Sequence, residues 1–341
     1  MKKSTVLAAL FAAVLMTSCG GATGPANKVL DKKVYAELAG KYKSIDDFQN
    51  GTARVCADIR KYGIIDSKGN EVVTSNVRYI EEQSEGLFIA NNDDEKYGIY
   101  NSKGKLIVPF EYDFAASSSC GLIRVAKNKN YGYIDAKGKE VIALQYSDAE
   151  DFSEGLALVE MKSGYGYINT KGELATAAKY DDAYPFSDGL AIVGLDGDYS
   201  VIDKNGETVY SFAQSIIPGE QYHNGLLLVS KNGNKCGYYD KKGQEAIPFQ
   251  YDYADGFRDG KALVMNKSGK DYSINYIDKT GKIVETVASI EDLEDYECVD
   301  DMFYGAFDMI SDLLDDLFDA LLDDDDNDDD NDDESNSDDD W

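Results

Sequence analysis

The feature of this sequence that most constrains its fold is a motif that returns about every 35 residues. An element close to Gly-x-Ala/Leu-x-Val has its glycine at Gly51, Gly86, Gly121, Gly155, Gly189, Gly225 and Gly260. A Tyr-Gly-Tyr-Ile-Asp-x-Lys-Gly element follows each copy. It matches clearly in the copies that start at Tyr62, Tyr97, Tyr131 and Tyr165, and more weakly in those that start at Tyr199, Cys236 and Ile274. Such a period is typical of repeat architectures, in which each unit buries its faces by stacking on its neighbours. The sequence therefore predicts seven repeats over residues 42–289.

The end of each repeat predicts a β-hairpin turn. Its last four residues begin with Asp or Asn and end with Gly in all seven copies. An Asx side chain can hydrogen-bond to its own backbone two residues on, and Gly accepts the positive φ that closes such a turn. The flanking runs, such as 156–159 and 165–168, are rich in β-prone residues. We therefore predict positive φ at Gly138 and Gly172, where Val would destabilise the fold by about 1–2 kcal/mol.

These motifs resemble the WG-repeat (or KWG-repeat) proteins, a bacterial family whose members are often lipoproteins. The segment 152–172 matches the family pattern from Phe152 through Gly155-Leu156-Ala157 and Tyr165-Gly166-Tyr167-Ile168 to Gly172. The chain differs from the pattern by using Tyr where the family often has Trp, and by having Ser200 and Asn275 in place of the motif Gly. The resemblance covers the repeats and implies no catalytic residues.

The repeat count and its strand content predict an all-β repeat protein with three or four short strands per unit. A closed seven-bladed β-propeller is favoured, because ring closure removes exposed sheet edges and seven units lie within the usual propeller range. The alternative is an open β-solenoid, which needs a cap at each end. The segment 27–41 and a C-terminal helix are the candidate caps.

The N-terminus is typical of a bacterial lipoprotein. Lys2 and Lys3 precede an apolar run over 5–16, which is too short to span a bilayer. The following Leu15-Met16-Thr17-Ser18-Cys19-Gly20 resembles a lipobox, which implies removal of the signal peptide 1–18 and acylation of Cys19 by chains such as palmitate. Residues 19–41 then form a tether and an N-terminal segment. The expected location is the outer membrane, facing the periplasm by default, with surface display left open; an ordinary secreted protein is the alternative.

The C-terminal part of the chain is acidic. Residues 291–341 hold 25 of the chain's 64 acidic residues and neither Lys nor Arg. An apolar stripe from Phe303 to Leu321 at spacings of three and four predicts an acidic amphipathic helix over 290–322, either a cap on the repeats or a helix that binds a partner. The tail 323–341 is predicted to be disordered, acting as a solubilising segment or as a weak site for calcium or a basic partner.

The search for chemistry gives few candidates. A net charge of −30 argues against nucleic acid as a partner. No nucleophile elbow, phosphate loop or metalloprotease motif occurs, so we predict no catalytic residue, cofactor or metal site. His223 and the pair Asp181-Asp182 are read as loop residues. Besides Cys19, the sequence leaves three disulfide pairings or free thiols open for the remaining cysteines, which are Cys56, Cys120, Cys236 and Cys298.

Two functions from different classes are consistent with these observations. The first is a non-enzymatic, lipid-anchored envelope scaffold that presents a β surface to a protein or glycan. The second is an envelope hydrolase with an acidic site at one end of the repeat array. An asymmetric cluster of Asp, Glu and His at one loop end would favour the hydrolase.

Overall fold

The computed structural model describes residues 30–83, 86–269 and 271–290. The predicted signal peptide 1–18, Cys19, the acidic tail 323–341 and the predicted C-terminal helix lie outside the described residues. Of the predicted helix 290–322, only Ile290 is described, and it ends the last strand. The described residues form one helix, α1 (Lys32–Lys41), and seven antiparallel sheets built from consecutive strands. This confirms an all-β fold of repeated units.

The first three sheets contain twelve strands. The first sheet is β1 (Ser44–Ile45), β2 (Thr52–Asp58), β3 (Lys61–Asp66) and β4 (Glu71–Val77). The second sheet is β5 (Tyr79–Gln83), β6 (Leu87–Asn91), β7 (Tyr97–Tyr100) and β8 (Leu106–Tyr112). The third sheet is β9 (Phe114–Ser119), β10 (Leu122–Lys127), β11 (Asn130–Asp135) and β12 (Glu140–Tyr146).

The remaining four sheets repeat the same order. The fourth sheet is β13 (Asp148–Ala149), β14 (Leu156–Met161) and β15 (Gly164–Asn169), and isolated bridges join β15 to Leu174 and Tyr180. The fifth sheet is β16 (Asp182–Ala183), β17 (Leu190–Leu195), β18 (Asp198–Asp203) and β19 (Thr208–Ser211). The sixth sheet is β20 (Ile216–His223), β21 (Leu226–Lys231), β22 (Lys235–Asp240) and β23 (Glu245–Tyr251). The seventh sheet is β24 (Tyr253–Ala254), β25 (Lys261–Ser268), β26 (Asp271–Asp278) and β27 (Ile283–Ile290).

The turn between the third and fourth strands has the predicted chemistry. Asp135 Oδ1 accepts hydrogen bonds from the backbone nitrogens of Lys137 at 2.8 Å and Lys139 at 2.9 Å. Gly138 and Gly172 both have φ of +80°, which confirms the predicted conformation. These local bonds fix the hairpin in every repeat, and hence the register of the strands that follow.

The Gly of the Tyr-Gly motif lies where the fourth strand bulges towards the third. A Cβ on Gly132 would lie 2.7 Å from the carbonyl oxygen of Ile142, so only Gly fits. The two repeats without this Gly pair differently. Ser200 faces Ser211 directly with a 2.8 Å hydrogen bond between hydroxyls, and Asn275 Oδ1 accepts a hydrogen bond from Thr286 at 2.9 Å. A polar cross-strand pair thus stands where the other repeats have Gly, and the register still shifts close by, between Val201 and Ile202 and between Ile274 and Asn275.

Neighbouring sheets pack face to face, and one aromatic contact recurs between them. Ring centroids are 4.7–4.9 Å apart in the pairs Tyr133–Phe152, Tyr167–Phe186 and Tyr238–Phe257. The Tyr comes from the third strand of one sheet, and the Phe precedes the second strand of the next. Each of these Tyr hydroxyls also donates to a backbone carbonyl of the next sheet at 2.6 Å. Burial of the rings and satisfaction of the hydroxyls together hold consecutive sheets in register.

Helix α1 covers the first sheet. Asp31 caps the helix by accepting a hydrogen bond from the Lys33 nitrogen at 2.8 Å, and Leu38 packs among the buried residues of the first sheet. A Cβ on the turn glycine Gly69 would lie 2.7 Å from Val34 of the helix. In the next repeat, the equivalent Gly104 contacts the fourth strand of the preceding sheet at Val72. The helix therefore takes the position that a preceding repeat occupies elsewhere in the array.

Candidate functional site

A hollow with a volume of about 530 Å³ runs across the first three sheets. We call it the tyrosine–arginine groove, and it is lined by Arg60, Tyr62, Arg78, Tyr79, Asn91, Glu95, Tyr97 and Asp113. The volume is within the range of small-molecule binding sites, which is roughly 300–1,000 Å³. The groove lies beside the hairpins that join the second and third strands of the first two sheets.

Three tyrosines supply the aromatic surface of the groove. Tyr62 and Tyr97 are the first residues of the Tyr-Gly motif in two consecutive repeats, and both are half-buried. Tyr79 begins the second sheet and remains 41% exposed. Burial, and then the 2.9 Å hydrogen bond from its hydroxyl to Glu81, raise the pKa of Tyr79. The ring therefore stays neutral at physiological pH and offers an apolar face to a ligand.

Arg54 orders two of these rings. Its guanidinium carbon lies 5.7 Å from the ring centroid of Tyr62 and 5.8 Å from that of Tyr79. Its Nε donates to Asp46 at 2.7 Å, which holds the guanidinium in place. Cation–π contacts of this kind contribute about 0.5–1 kcal/mol at exposed sites. The two rings are thus positioned before any ligand arrives.

The charged groups of the groove are of both signs. Arg78 donates to Glu95, and Lys96 donates to Asp113. The hydrogen bond from Arg78, followed by the charges of Arg78 and Arg60, lowers the pKa of Glu95. Within the described residues, Arg60 has no ion-pair partner within 4 Å. One exposed guanidinium is therefore available to an anion.

Asn91 is the polar group at the base of the groove. The residue is only 8% exposed, and it ends the second strand of the second sheet. Its backbone carbonyl accepts from the Arg78 nitrogen at 2.9 Å. Its side-chain amide has no hydrogen-bond partner among the residues that the structure describes. The amide carries both donors and an acceptor, so a ligand in the groove can hydrogen-bond to it.

A second hollow, between the fourth and fifth sheets, is acidic. Its volume is about 110 Å³, and it is lined by Asp148, Ala149, Glu150, Leu158, Val159, Glu160, Tyr165, Asp182 and Ala183. Burial raises the pKa of Tyr165, and the negative charges of Glu160, Asp148 and Asp182 raise it further. We call this the acidic hollow. It is well below the size that encloses a typical organic ligand.

Of the three residues predicted to lie in loops, His223 and Asp182 are in strands, whereas Asp181 lies just before strand β16. His223 ends strand β20 and is half-buried, with its Cδ2 close to Gly256 of the next sheet. The loop prediction was wrong because β20 has eight residues and an irregular register between Pro218 and Tyr222. Asp182 likewise begins strand β16, where it accepts the hydroxyl of Tyr199 at 2.6 Å. That hydrogen bond, followed by burial, raises the pKa of Tyr199 to about 12.

The other predicted positions are placed as follows. Cys56, Cys120 and Cys236 are free thiols, and Cys298 lies outside the described residues, as does the lipid-attachment candidate Cys19. Over 30–83, 86–269 and 271–290, no group of three or more His, Cys, Asp or Glu side chains is arranged to hold a metal ion. The described part of the chain also has no helix with the length and apolar character needed to cross a membrane.

The sequence interpretation assigned the motif tyrosines to folding and did not identify the groove. One signal was available: arginine is scarce, and three of the chain's five arginines, Arg54, Arg60 and Arg78, lie within 25 residues. All three border the tyrosine–arginine groove. Departure of a few repeats from the pattern of the others is therefore the sequence feature that points to this site.

Comparison with known families now places the chain. A family described as WG containing repeat matches residues 97–131, 131–164, 165–199 and 237–270. The chain is a WG-repeat protein. Each matched WG unit begins at the third strand of one sheet and continues through the first two strands of the next. One sequence repeat therefore spans two sheets, which links the neighbours covalently. No curated protein matches the sequence.

Three solved structures resemble parts of this WG-repeat protein. BamB from Moraxella catarrhalis is 11% identical, with 74% of this chain and 84% of that chain covered and a TM-score of 0.36. AztD from Citrobacter koseri is 14% identical, with 74% and 83% covered and a TM-score of 0.35. A protein of unknown function from Bacteroides caccae is 16% identical, with 61% and 91% covered and a TM-score of 0.27.

Proposed function

We propose that this WG-repeat protein is a lipid-anchored cell-envelope scaffold that binds a protein or glycan partner without chemical turnover. The observation that carries the proposal is the tyrosine–arginine groove. Its rings, guanidinium groups and the Asn91 amide are suited to holding a ligand, and no nucleophile with an adjacent base lines it. Tyr and Arg are also the residue types most enriched at binding hot spots.

The envelope location rests on the N-terminal sequence. A dibasic start, a short apolar run and a small-residue segment before Cys19 support export and lipid attachment. Acyl chains at Cys19 would hold the mature protein at the outer membrane, by default on its periplasmic side. A flexible tether after Cys19 would leave the groove accessible to partners.

The hydrolase alternative rests on the acidic hollow. Four carboxylates, from Asp148, Glu150, Glu160 and Asp182, surround it. A glycosidase needs two carboxylates on opposite sides of a bound sugar, and a space of about 110 Å³ does not enclose one. His223, the chain's one histidine, is not among the residues that line this hollow. The site geometry therefore favours binding over hydrolysis.

The position of α1 bears on the shape of the array. A helix, rather than another sheet, covers the turn of the first repeat at Gly69. We propose an open array capped by this helix, in preference to the closed seven-bladed ring that the sequence favours. A compact body of about 260 residues has a radius of gyration of about 18 Å. Small-angle X-ray scattering that gives a clearly larger, elongated particle supports the open form, whereas a globular profile near that value supports the ring.

The test of function combines binding with product analysis. The chain from residue 20 to its end is screened against envelope glycans and purified envelope proteins by surface plasmon resonance, and each ligand is recovered and analysed by mass spectrometry. The groove variant is Tyr79→Ala. Its control is Tyr253→Ala, because Tyr253 occupies the same position in the seventh sheet. Saturable binding of an intact ligand that only Tyr79→Ala weakens is the expected result, and any turnover would overturn the proposal.

A further inference from the structure

Glu95 occupies an anion position within the tyrosine–arginine groove. Its carboxylate accepts a hydrogen bond from Arg78, and both Arg78 and Arg60 line the same groove. The charge of Arg60 also contributes to lowering the pKa of Glu95. Two guanidinium groups therefore act on one carboxylate supplied by the protein itself. Guanidinium groups recognise carboxylates through short, charge-assisted hydrogen bonds.

The Glu95 side chain is easily displaced. It is 73% exposed, whereas the Arg78 side chain is 28% exposed. Water screens an ion pair with so exposed a partner, so the pair contributes little to stability. Glu95 also lies in a turn with φ of +60°, and the turn itself is held by Asn92, whose Oδ1 accepts from the backbone nitrogen of Lys96 at 2.9 Å. The Glu95 carboxylate can leave without breaking the turn, but the half-buried Arg78 still requires an anion.

The surroundings of this anion position are suited to a sugar. Tyr62, Tyr79 and Tyr97 provide flat apolar faces, and Arg54 holds two of these rings. The Asn91 amide lines the groove without a partner among the described residues and offers both a donor and an acceptor. A hydroxyl group is also both donor and acceptor, so vicinal hydroxyls match this amide. The volume of about 530 Å³ can hold more than one sugar ring.

We propose that the groove binds an acidic saccharide, whose carboxylate takes the place of Glu95 beside Arg78 and Arg60 while its hydroxyls reach Asn91 and its rings lie on the tyrosines. This inference rests on the binding function proposed above and specifies its ligand class. An acidic peptide fits less well. Carboxylates on one face of an extended peptide recur every two residues, or roughly 7 Å, and would need a row of cations. Here Arg78 and Arg60 both act on a single carboxylate, that of Glu95.

The proposal makes Glu95 a competitor of the ligand. Removing the Glu95 charge should therefore raise the affinity, whereas removing either arginine should lower it. The chain from residue 20 to its end is titrated by isothermal calorimetry with a galacturonate trimer, a hyaluronan tetrasaccharide and a sialic-acid-terminated trisaccharide. The methyl ester of the galacturonate trimer is the uncharged match. At least one of these acidic saccharides should bind. If the galacturonate trimer binds, its methyl ester should bind about tenfold more weakly or worse, because a charge-assisted contact is lost.

The variants separate this geometry from general electrostatics. Glu95→Gln should tighten binding several-fold, and Arg78→Gln and Arg60→Gln should weaken it about tenfold or more. The matched control is Glu111→Gln, because Glu111 is 44% exposed and pairs with Lys127 at 2.7 Å outside the groove. That control should leave affinity unchanged. The gain in Glu95→Gln cannot come from misfolding, which keeps the test informative even if an arginine variant is unstable.

Three results would overturn the proposal. One is the absence of binding to every acidic saccharide by both the native chain and Glu95→Gln. Another is an equal gain in saccharide affinity in Glu95→Gln and Glu111→Gln, which would show only a long-range charge effect. The third is tighter binding of a poly-glutamate peptide with the same dependence on Arg78 and Tyr79, which would assign the groove to an acidic protein segment. With any of these three results, the proposed binding function is still tested separately by the screen against envelope glycans and proteins.

Discussion

Replacing the turn glycines by alanine tests how closely the sheets are stacked. Gly104 and Gly155 have similar backbone conformations, with φ of +73° and +87°. Their surroundings differ, because a Cβ on Gly104 would lie 1.7 Å from the carbonyl oxygen of Val72, whereas a Cβ on Gly155 has no neighbour within 4 Å. The pair therefore separates the cost of positive φ from the cost of a contact between consecutive sheets.

The expected magnitudes follow from these two terms. Positive φ costs an alanine about 1–2 kcal/mol at either position. Forcing an extra group against the backbone of the preceding sheet costs about 1–3 kcal/mol more. We therefore expect Gly155→Ala to lower the free energy of unfolding by about 1–2 kcal/mol, and Gly104→Ala by about 2–5 kcal/mol. Gly172→Ala should fall between them, because its Cβ would approach Ile142 to 3.3 Å.

The assay is urea denaturation followed by far-UV circular dichroism, with the free energy taken from the midpoint and slope of each curve. The native chain and the three variants are measured in parallel at one temperature and pH. The ranking Gly104 above Gly172 above Gly155 supports the stacked arrangement. Equal losses at Gly104 and Gly155 would refute it, because the contact with Val72 would then carry no cost.

Three further outcomes can be measured on the same protein. Tyr167→Phe should cost about 1–3 kcal/mol in urea denaturation, because it leaves the Tyr184 carbonyl without the 2.6 Å hydrogen bond it now accepts; an unchanged midpoint would contradict this. Burial raises the pKa of Tyr222 to about 12 from an unfolded value near 10, so stability should be constant below about pH 10 and fall as the pH rises from about 10 to 12. A stability that rises over that interval would show that the tyrosine ionises more easily in the folded chain. Cys19→Ala should release the protein from the membrane fraction, and a variant that still sediments after salt washing would show that lipidation is not what holds it.

The repeat, the turns and the strands could be predicted from sequence because each depends on nearby residues. An Asx-to-Gly turn such as Asp135 to Gly138 closes through its own side chain and backbone, so four residues determine it. Four repeats have a phenylalanine three residues before the repeat Gly, as at Phe152, and this residue was equally visible. Its role became clear only from the structure, which places it on Tyr133 of the preceding sheet.

The groove could not be predicted because it is made of residues from three sheets. Arg60 and Tyr97 are 37 positions apart in the sequence, and no single repeat contains all three tyrosines and all the arginines of the groove. These residues come together only because of how each sheet is placed relative to the preceding one. The strand position of His223 was missed for a related reason, since an irregular register in β20 changes where that strand ends.

A crystal structure of the chain with a bound ligand from the screen tests the central claim most directly. The account predicts an intact ligand in the tyrosine–arginine groove, in contact with Tyr79 and Arg78. A ligand or its cleaved product in the acidic hollow, beside Asp148 and Asp182, would contradict the account and favour a hydrolase.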